Sequence, residues 1–332
     1  MIYLVTPVFA LFVLIIDIVE FLWGAYWDVV KTVFHVFIPK SQKSIAGKTV
    51  LVTGAANGVG KELALLFGQE GCNVICWDVE EEGNRATADE VLAASPGVRC
   101  SSQRVDVSQR QEVERAAQQL LAEYGGLDIL VNNAGIMPVK TFLEHSPEEL
   151  ERIVNINLMS QFWTLRAFLP RMYRLGGGSV VSMSSNCGLM GSPHLVPYCA
   201  SKHAIRGLTE ALTEEERHLS QVGRASVHYL TVFPFIINTR LVKYPRVRFP
   251  WLTPVLTPRY VAEETVTALK QGEEILFFPK WMYPAFLFSR IWPRRTQQRF
   301  YQLLDTGVDK QQYDVADEMR RFNAPPLARL RQ

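Results

Sequence analysis

A chain of 332 residues, 48% hydrophobic and 20% charged, is long enough to bury one large core: a single α/β domain of about 250 residues with room for appended segments. Its formal charge of +2, with no basic stripe interleaved with aromatics in mid-chain, argues against a nucleic-acid partner and against an acidic substrate. Five cysteines, Cys72, Cys76, Cys100, Cys187 and Cys199, lack the Cys-x-x-Cys spacing of a zinc site and read as reduced, cytosol-facing thiols, so no metal site is expected.

Residues 1–38 are almost wholly apolar or aromatic, with no charge from Met1 to Ile16 and isolated charges at Asp17, Glu20, Asp28 and Lys31. They read as a membrane anchor. The uncharged run is slightly short of the roughly 20 residues of a straight span, so a span and a monotopic insertion both stay open, beside a buried helix of a soluble core. No Lys or Arg precedes the run and no small-residue cleavage site stands before Phe21-Leu22-Trp23, which argues against a cleaved signal peptide. Lys40, Lys43 and Lys48 follow it, and by the positive-inside tendency they put the main domain on the cytosolic side.

From residue 45 to about 280 short apolar runs alternate with amphipathic stretches. Strands are predicted at 49–53, 73–78, 99–105, 128–131, 179–183, 225–233 and 275–278, and helices at 59–70, 84–94, 109–124, 147–173, 197–219 and 259–271. This alternation predicts a single Rossmann-type doubly wound parallel sheet of about seven strands. The stretch 234–258, with Tyr244-Pro245-Arg246-Val247-Arg248-Phe249-Pro250-Trp251, reads as a loop that covers a substrate. Residues 275–292 are bulky and aromatic and carry only Lys280 and Arg290. They fit a second membrane-surface contact or a helix pair packed on the domain. A hydrophobic, then polar, C-terminal extension spans 281–332.

The first strand runs into Thr53-Gly54-Ala55-Ala56-Asn57-Gly58-Val59-Gly60. Glycines between a strand and a helix let a dinucleotide pyrophosphate approach the backbone and meet the helix N-terminus. The second strand ends at Asp78, where a carboxylate accepts hydrogen bonds from both hydroxyls of an adenosine ribose and repels a 2′-phosphate. Neither Ala55 nor Val79 supplies a cation for such a phosphate, so NAD is favoured over NADP. Tyr198 and Lys202, four apart, share a helix face. A phenol has a pKa near ~10, and bringing it close to neutrality takes about 4 kcal/mol. One ammonium at about 4 Å supplies that at an effective dielectric near 20. Ser185 at the fifth strand's end is placed to hold a carbonyl or alcohol oxygen beside the phenol.

The glycine turn, Asp106-Val107, Asn132-Asn133-Ala134-Gly135, Asn157, Ser184-Ser185 and Tyr198-x-x-x-Lys202, in this order over about residues 45–280, resemble the short-chain dehydrogenase/reductase family. The resemblance implies that Asp106 and Val107 contact the adenine and that Asn133 with Gly135 lines the ribose side. It further implies Tyr198 as acid/base, Lys202 on the nicotinamide ribose and lowering the Tyr198 pKa, Ser185 orienting the substrate oxygen, and Asn157 placing a relay water. For Asn157 a helix-kink amide without catalytic part is the alternative. Where the family has Pro-Gly-x-x-x-Thr, this chain has Pro234-Phe235-Ile236-Ile237-Asn238-Thr239. Ile237 and Thr239 keep positions that contact the nicotinamide end, while Phe235 lacks glycine's backbone freedom and is expected to wall the substrate cleft.

Gln161-Phe162-Trp163-Thr164, Ala167-Phe168-Leu169-Pro170-Arg171-Met172 and Arg246-Val247-Arg248-Phe249-Pro250, with the two apolar ends, are similar to the family's membrane-associated branch. That branch holds retinol dehydrogenases and lipid-droplet 17-beta-hydroxysteroid dehydrogenases. It implies hydride transfer between NAD(H) and a lipophilic alcohol, retinol first and a hydroxysteroid as alternative, at the endoplasmic reticulum membrane or a lipid droplet, with a homodimer through the long helices. Tyr244 and Trp251 join Phe235 as candidate cleft walls, with ordinary packing as the equal alternative for each, and a non-catalytic membrane scaffold is the reading from another class.

Overall fold

The computed structural model describes residues 2–308 apart from Pro39, Val222, Arg224 and Lys243. The polar end of the expected C-terminal extension, 309–332, lies outside the described residues. The chain divides into two units, Met1–Lys43 and Ser44–Gln332.

In the first unit a single helix, α1, runs Ile2–Phe37. Its 23-residue stretch Phe9–Lys31 has a mean hydropathy of 2.0 and is long and apolar enough to cross a membrane. Trp23, Tyr26 and Trp27 cluster on it, with Trp23 and Tyr26 ring centroids 6.2 Å apart and Tyr26 and Trp27 5.5 Å apart.

The second unit alternates strand and helix as the hydrophobic pattern requires. The chain runs β1 Thr49–Thr53, α2 Gly58–Gln69, β2 Asn73–Asp78, α3 Glu81–Ala94, β3 Cys100–Arg104, α4 Arg110–Tyr124 and β4 Ile129–Asn132. It continues with α5 Pro147–Val154, α6 Ser160–Arg174, β5 Gly178–Met183, α7 Val196–Ser220, β6 Val227–Phe233, β7 Pro245–Val247, α8 Pro258–Lys270, β8 Ile275–Phe277, α9 Met282–Ser289, α10 Arg294–Leu304 and β9 Thr306–Val308. Seven strands form one parallel sheet in the order β3-β2-β1-β4-β5-β6-β8. Strand order reverses beside β1, so the crevice at the carboxyl ends of β1 and β4 is the place where such sheets bind ligands.

Period-two alternation splits each central strand between two cores. Val50 and Val52 face Leu63, Phe67, Val261 and Leu269 of α2 and α8, whereas Leu51 faces Trp77, Leu120, Phe168 and Met172 toward α4 and α6. All of these are nearly or fully buried, and each such aliphatic or aromatic side chain stabilises the fold by about 1.5–3 kcal/mol. β3, at the sheet edge, is only partly buried along its length, which is why its sequence is the most polar of the seven.

Two features depart from the expected pattern. The helix expected over 147–173 is interrupted by a wide π turn at Asn155–Met159, between α5 and α6. The stretch expected to be a loop at 234–258 contains β7, which pairs antiparallel with β9 in the register Pro245↔Val308, Arg246↔Gly307 and Val247↔Thr306. A three-residue strand whose partner lies far along the chain leaves no local periodicity to read. Within 275–292, for which packing on the domain is one of the two expectations, α9 packs one face: Met282 is buried, and Phe286 joins Leu189, Phe233 and Phe277 in a small satellite core. Pro284, Leu287, Phe288 and Ile291, at helical spacing, are exposed.

Candidate active site

The chain leaves β1 through Gly54, whose φ of +69° is left-handed, and enters α2 at Gly58 with φ of +60°. A Cβ on Gly60 would stand 2.0 Å from the Gly54 carbonyl oxygen and 2.6 Å from Asn133 Nδ2, so this position admits glycine alone. Asn133 pins the same turn from the next strand, its Nδ2 donating to the Thr53 and Gly54 carbonyls at 2.9 and 3.1 Å. Asn57, at the N-cap of α2, makes no side-chain cap. The first-turn N–H groups of α2 are thereby left for an anion. A cleft of about 650 Å³ opens over this turn.

Of the residues expected to hold a cofactor, all but Gly60 line that cleft: Gly54, Asn57, Gly58, Val59, Asp78, Asp106, Val107, Asn133, Gly135, Tyr198, Lys202, Ile237 and Thr239. Asp78 is fixed at the end of β2 because its carboxylate accepts the backbone N–H groups of Ala56 and Glu80, both at 2.9 Å. Asp106 accepts from the Ser108 backbone N–H at 2.9 Å and hydroxyl at 2.7 Å, which holds the loop after β3. The cleft also takes Glu148, Glu151 and Arg152 from α5, and Arg240. Arg240 reaches Glu80 at 3.5 Å, so a cation does stand near the β2 end. It comes from a loop distant in sequence, and local motif spacing carried no signal for it.

Lys202 is 4% exposed, its Nζ donates to the Met183 carbonyl at 2.7 Å, and it stands 5.6 Å from the centroid of the Tyr198 ring. Burial lowers its pKa to about 8. For Tyr198 the direction is opposite to the one expected from the Tyr–Lys spacing. Burial, and next the Cys187 thiol, push the phenol above its ordinary value, and only the hydrogen bond with Ser185 works against them. The reason is positional: the ammonium faces the Met183 carbonyl, and desolvation of the phenol outweighs a cation beyond close contact. Ser185 is held in turn by accepting the Cys187 N–H at 3.1 Å.

Asn157 is fully buried inside the π turn and lines neither cleft. Its amide exchanges hydrogen bonds with Ile136, accepting from N at 2.8 Å and donating to O at 3.0 Å, and donates to Ser201 Oγ at 3.1 Å. A Cβ on Gly135 would lie 3.3 Å from Asn157 Oδ1 and 3.7 Å from Lys202 Nζ. The helix widening, the Gly135 strand end and the Lys202 amine therefore meet at one point.

Beside the first cleft lies a second of about 310 Å³, and Tyr198 lines both. Ser185 and Phe235 line the second. Among the described residues only His194 and Asp305 are non-glycine residues with positive φ. The backbone at Phe235 thus makes no demand for the glycine that the family pattern places there. Tyr244 and Trp251 do not line this cleft, and Trp251 is 81% exposed, contrary to their expected part as walls. The covering stretch contributes Val242 and Arg246 instead, and α10 and β9 close the cleft with Tyr301, Leu304 and Asp305 to Val308.

A family profile described as short chain dehydrogenase matches residues 48–246. The chain belongs to the short-chain dehydrogenase family. It is 35% identical over 276 residues to human epidermal retinol dehydrogenase 2, covering 83% of this chain and 88% of that one. To 17-beta-hydroxysteroid dehydrogenase 13 of Rattus norvegicus it is 31% identical over 282 residues, covering 85% and 91%. Among solved structures, a metagenomic short-chain oxidoreductase in complex with NADP superposes with a TM-score of 0.59 at 26% identity, over 71% of this chain and 96% of that one. This short-chain dehydrogenase is an alcohol dehydrogenase-type oxidoreductase that uses a nicotinamide cofactor.

Proposed function

We propose that this protein interconverts a lipophilic alcohol and its carbonyl, of the retinoid or steroid class, using NAD(H) at a membrane surface. The observation that carries this is the place of Tyr198, in the shared wall of the two clefts, with Ser185 beside it in the lining of the second cleft. A mostly apolar cleft beside a dinucleotide cleft suits a substrate that partitions into lipid. The names of the relatives, a retinol dehydrogenase and a hydroxysteroid dehydrogenase, support the same class.

The cofactor fits the residues present: Gly54, Asn57, Gly58 and Val59 line the cleft where α2 begins with its side-chain cap unmade, and Asp78 stands at the ribose end. When bound, the nicotinamide supplies the hydride acceptor for oxidation and the donor for reduction. Asp78 selects an unphosphorylated ribose, which favours NAD, although Arg240 beside Glu80 weakens the repulsion of a 2′-phosphate. Ser185 holds the substrate oxygen. During oxidation Tyr198 takes the hydroxyl proton at that oxygen. The phenol has to lose its own proton first. A Lys202 ammonium turned from the Met183 carbonyl toward the phenol would stabilise the phenolate, and a substrate that expels water from the cleft strengthens that attraction. Asn157 positions the Ile136 backbone after β4 and Ser201, the neighbour of Lys202, through the π turn.

Helix α1 is the proposed anchor, with Trp23, Tyr26 and Trp27 of the residue types that favour a membrane interface. Retention of the full chain in carbonate-washed membranes, and its release on deleting residues 1–38, checks this. The catalytic assignment is tested by Tyr198→Phe in isolated membranes with retinol, retinal and two steroids against NAD(H) and NADP(H). Loss of turnover by at least about a thousandfold with NADH binding kept is expected, and substantial residual oxidation overturns Tyr198 as the base. Higher kcat/KM with NADP than with NAD overturns the ribose assignment.

A further inference from the structure

Charge enters the second cleft at one place. Of the described residues that line it, Arg246 on β7 and Asp305 after α10 are the only charged ones, and they form an ion pair with each other. The remaining walls include Met137, Met190, Leu195, Phe235, Met282 and Leu304. The pair is half-accessible, with side-chain exposure of 33% for Arg246 and 44% for Asp305. Both partners are held from behind. The β7–β9 ladder sets Arg246 opposite Gly307, and Asp305 ends α10 in the left-handed backbone, φ +38° and ψ 61°, in which helices commonly stop.

Any lipophilic ligand that fills this cleft strips water from the pair, and the loss is recovered only if the ligand returns the hydrogen bonds. A carboxylate would meet Asp305 and an ammonium would meet Arg246, each with repulsion that offsets its attraction. A hydrocarbon end returns nothing. A hydroxyl donates to the carboxylate and accepts from the guanidinium at once. We propose that Arg246 and Asp305 form a hydroxyl-recognition site, so that the preferred substrate is a lipophilic alcohol bearing a second hydroxyl besides the one that reacts. This rests on the assignment of Tyr198 and Ser185 as the reacting end. It separates substrates within the proposed class, since retinol carries a single hydroxyl and a dihydroxylated steroid carries two.

The test uses full-length protein in detergent with matched probes, estradiol against 3-deoxyestradiol and 1,12-dodecanediol against 1-dodecanol, and retinol as a further mono-alcohol. Each is assayed with NAD and with NADP. In the wild type kcat/KM for the better diol is expected to exceed that of its mono-alcohol by about tenfold, through KM. Arg246→Leu is expected to bring that ratio to about one with kcat retained, and Arg246→Lys to restore part of it. Asp305→Asn, which keeps shape and hydrogen bonding while removing the charge, reduces the ratio less than Arg246→Leu. Because the pair also ties β7 to the end of α10, thermal unfolding and NADH binding are followed for each variant. A mono-alcohol that matches its diol for both pairs in the wild type overturns the proposal. So does an Arg246→Leu defect of equal size on diol and mono-alcohol, which is the mark of a latch that only shapes the cleft. Absence of turnover of every alcohol with either cofactor would instead remove the oxidoreductase assignment of this site, and the proposal with it.

Discussion

Lys202 offers a measurement of how far the active site has been dried. Its pKa falls from an ordinary 10.5 to about 8 because the amine is buried, and it is 4% exposed, so solvent screening discounts little. At 1.36 kcal/mol per tenfold in proton affinity the difference is about 3 kcal/mol. The sign follows from proton counting. Below pH 8 both folded and unfolded chains hold the proton and the cost is fully present. Between pH 8 and 10.5 the unfolded chain holds a proton that the folded chain has shed, so stability rises with pH. Tyr198 acts in the other direction. Burial raises its pKa above an ordinary 10.0, so above pH 10 the folded chain keeps a proton that the unfolded chain loses, and stability falls. The clean window is pH 8 to 10. Lys202→Met removes the titration there, together with the hydrogen bond to the Met183 carbonyl, whose loss is an offset independent of pH. Urea unfolding of wild type and Lys202→Met, full-length in detergent and free of nucleotide, should show the wild type gaining on the variant by about 2–3 kcal/mol from pH 7 to 10. A difference that stays flat across that range refutes a desolvated Lys202 cation.

Gly60→Ala drives a methyl group into the Gly54 carbonyl at 2.0 Å, where backbone has no room to give. We expect a loss of about 3 kcal/mol or more by urea unfolding and loss of NADH fluorescence binding, while Gly47→Ala, with φ of +77° and open space around it, loses only about 1–2 kcal/mol from its backbone conformation and keeps binding. Trp251→Ser, at an 81% exposed residue outside the cleft, should leave KM for the best alcohol within twofold, whereas Phe235→Ala should raise it about tenfold. Steady-state kinetics that reverse this order would return Trp251 to the cleft wall.

The parallel sheet is legible in the sequence because a strand buried on both faces is apolar through its interior, with polar residues confined to its ends. Thr49–Thr53 and Asn73–Asp78 accordingly read as unbroken runs bounded by glycine or a carboxylate. The proposed cofactor residues are legible for a related reason: each sits at or just after the end of a strand, so strand prediction and motif position locate Gly54, Asp78, Asp106 and Asn133 together. What stayed hidden depends on direction and distance. An aromatic residue type records no facing, so Trp251 and Phe235 look equivalent in the sequence and stand outside and inside the cleft. The four-residue spacing of Tyr198 and Lys202 records a shared helix face. It records neither the burial of the phenol, which raises its pKa in the free protein, nor that the amine donates to the Met183 carbonyl. Arg240 with Glu80, and Arg246 with Asp305, are pairings between segments far apart in the chain, and no window of periodicity contains both partners. In the proposed reading these hidden pairs stand at the two ends where specificity is decided, the ribose of the cofactor and the wall of the substrate cleft. On that reading the reaction centre is written locally, in strand ends and one helix, whereas the choice of substrate is written in long-range contacts of the segments that follow β6.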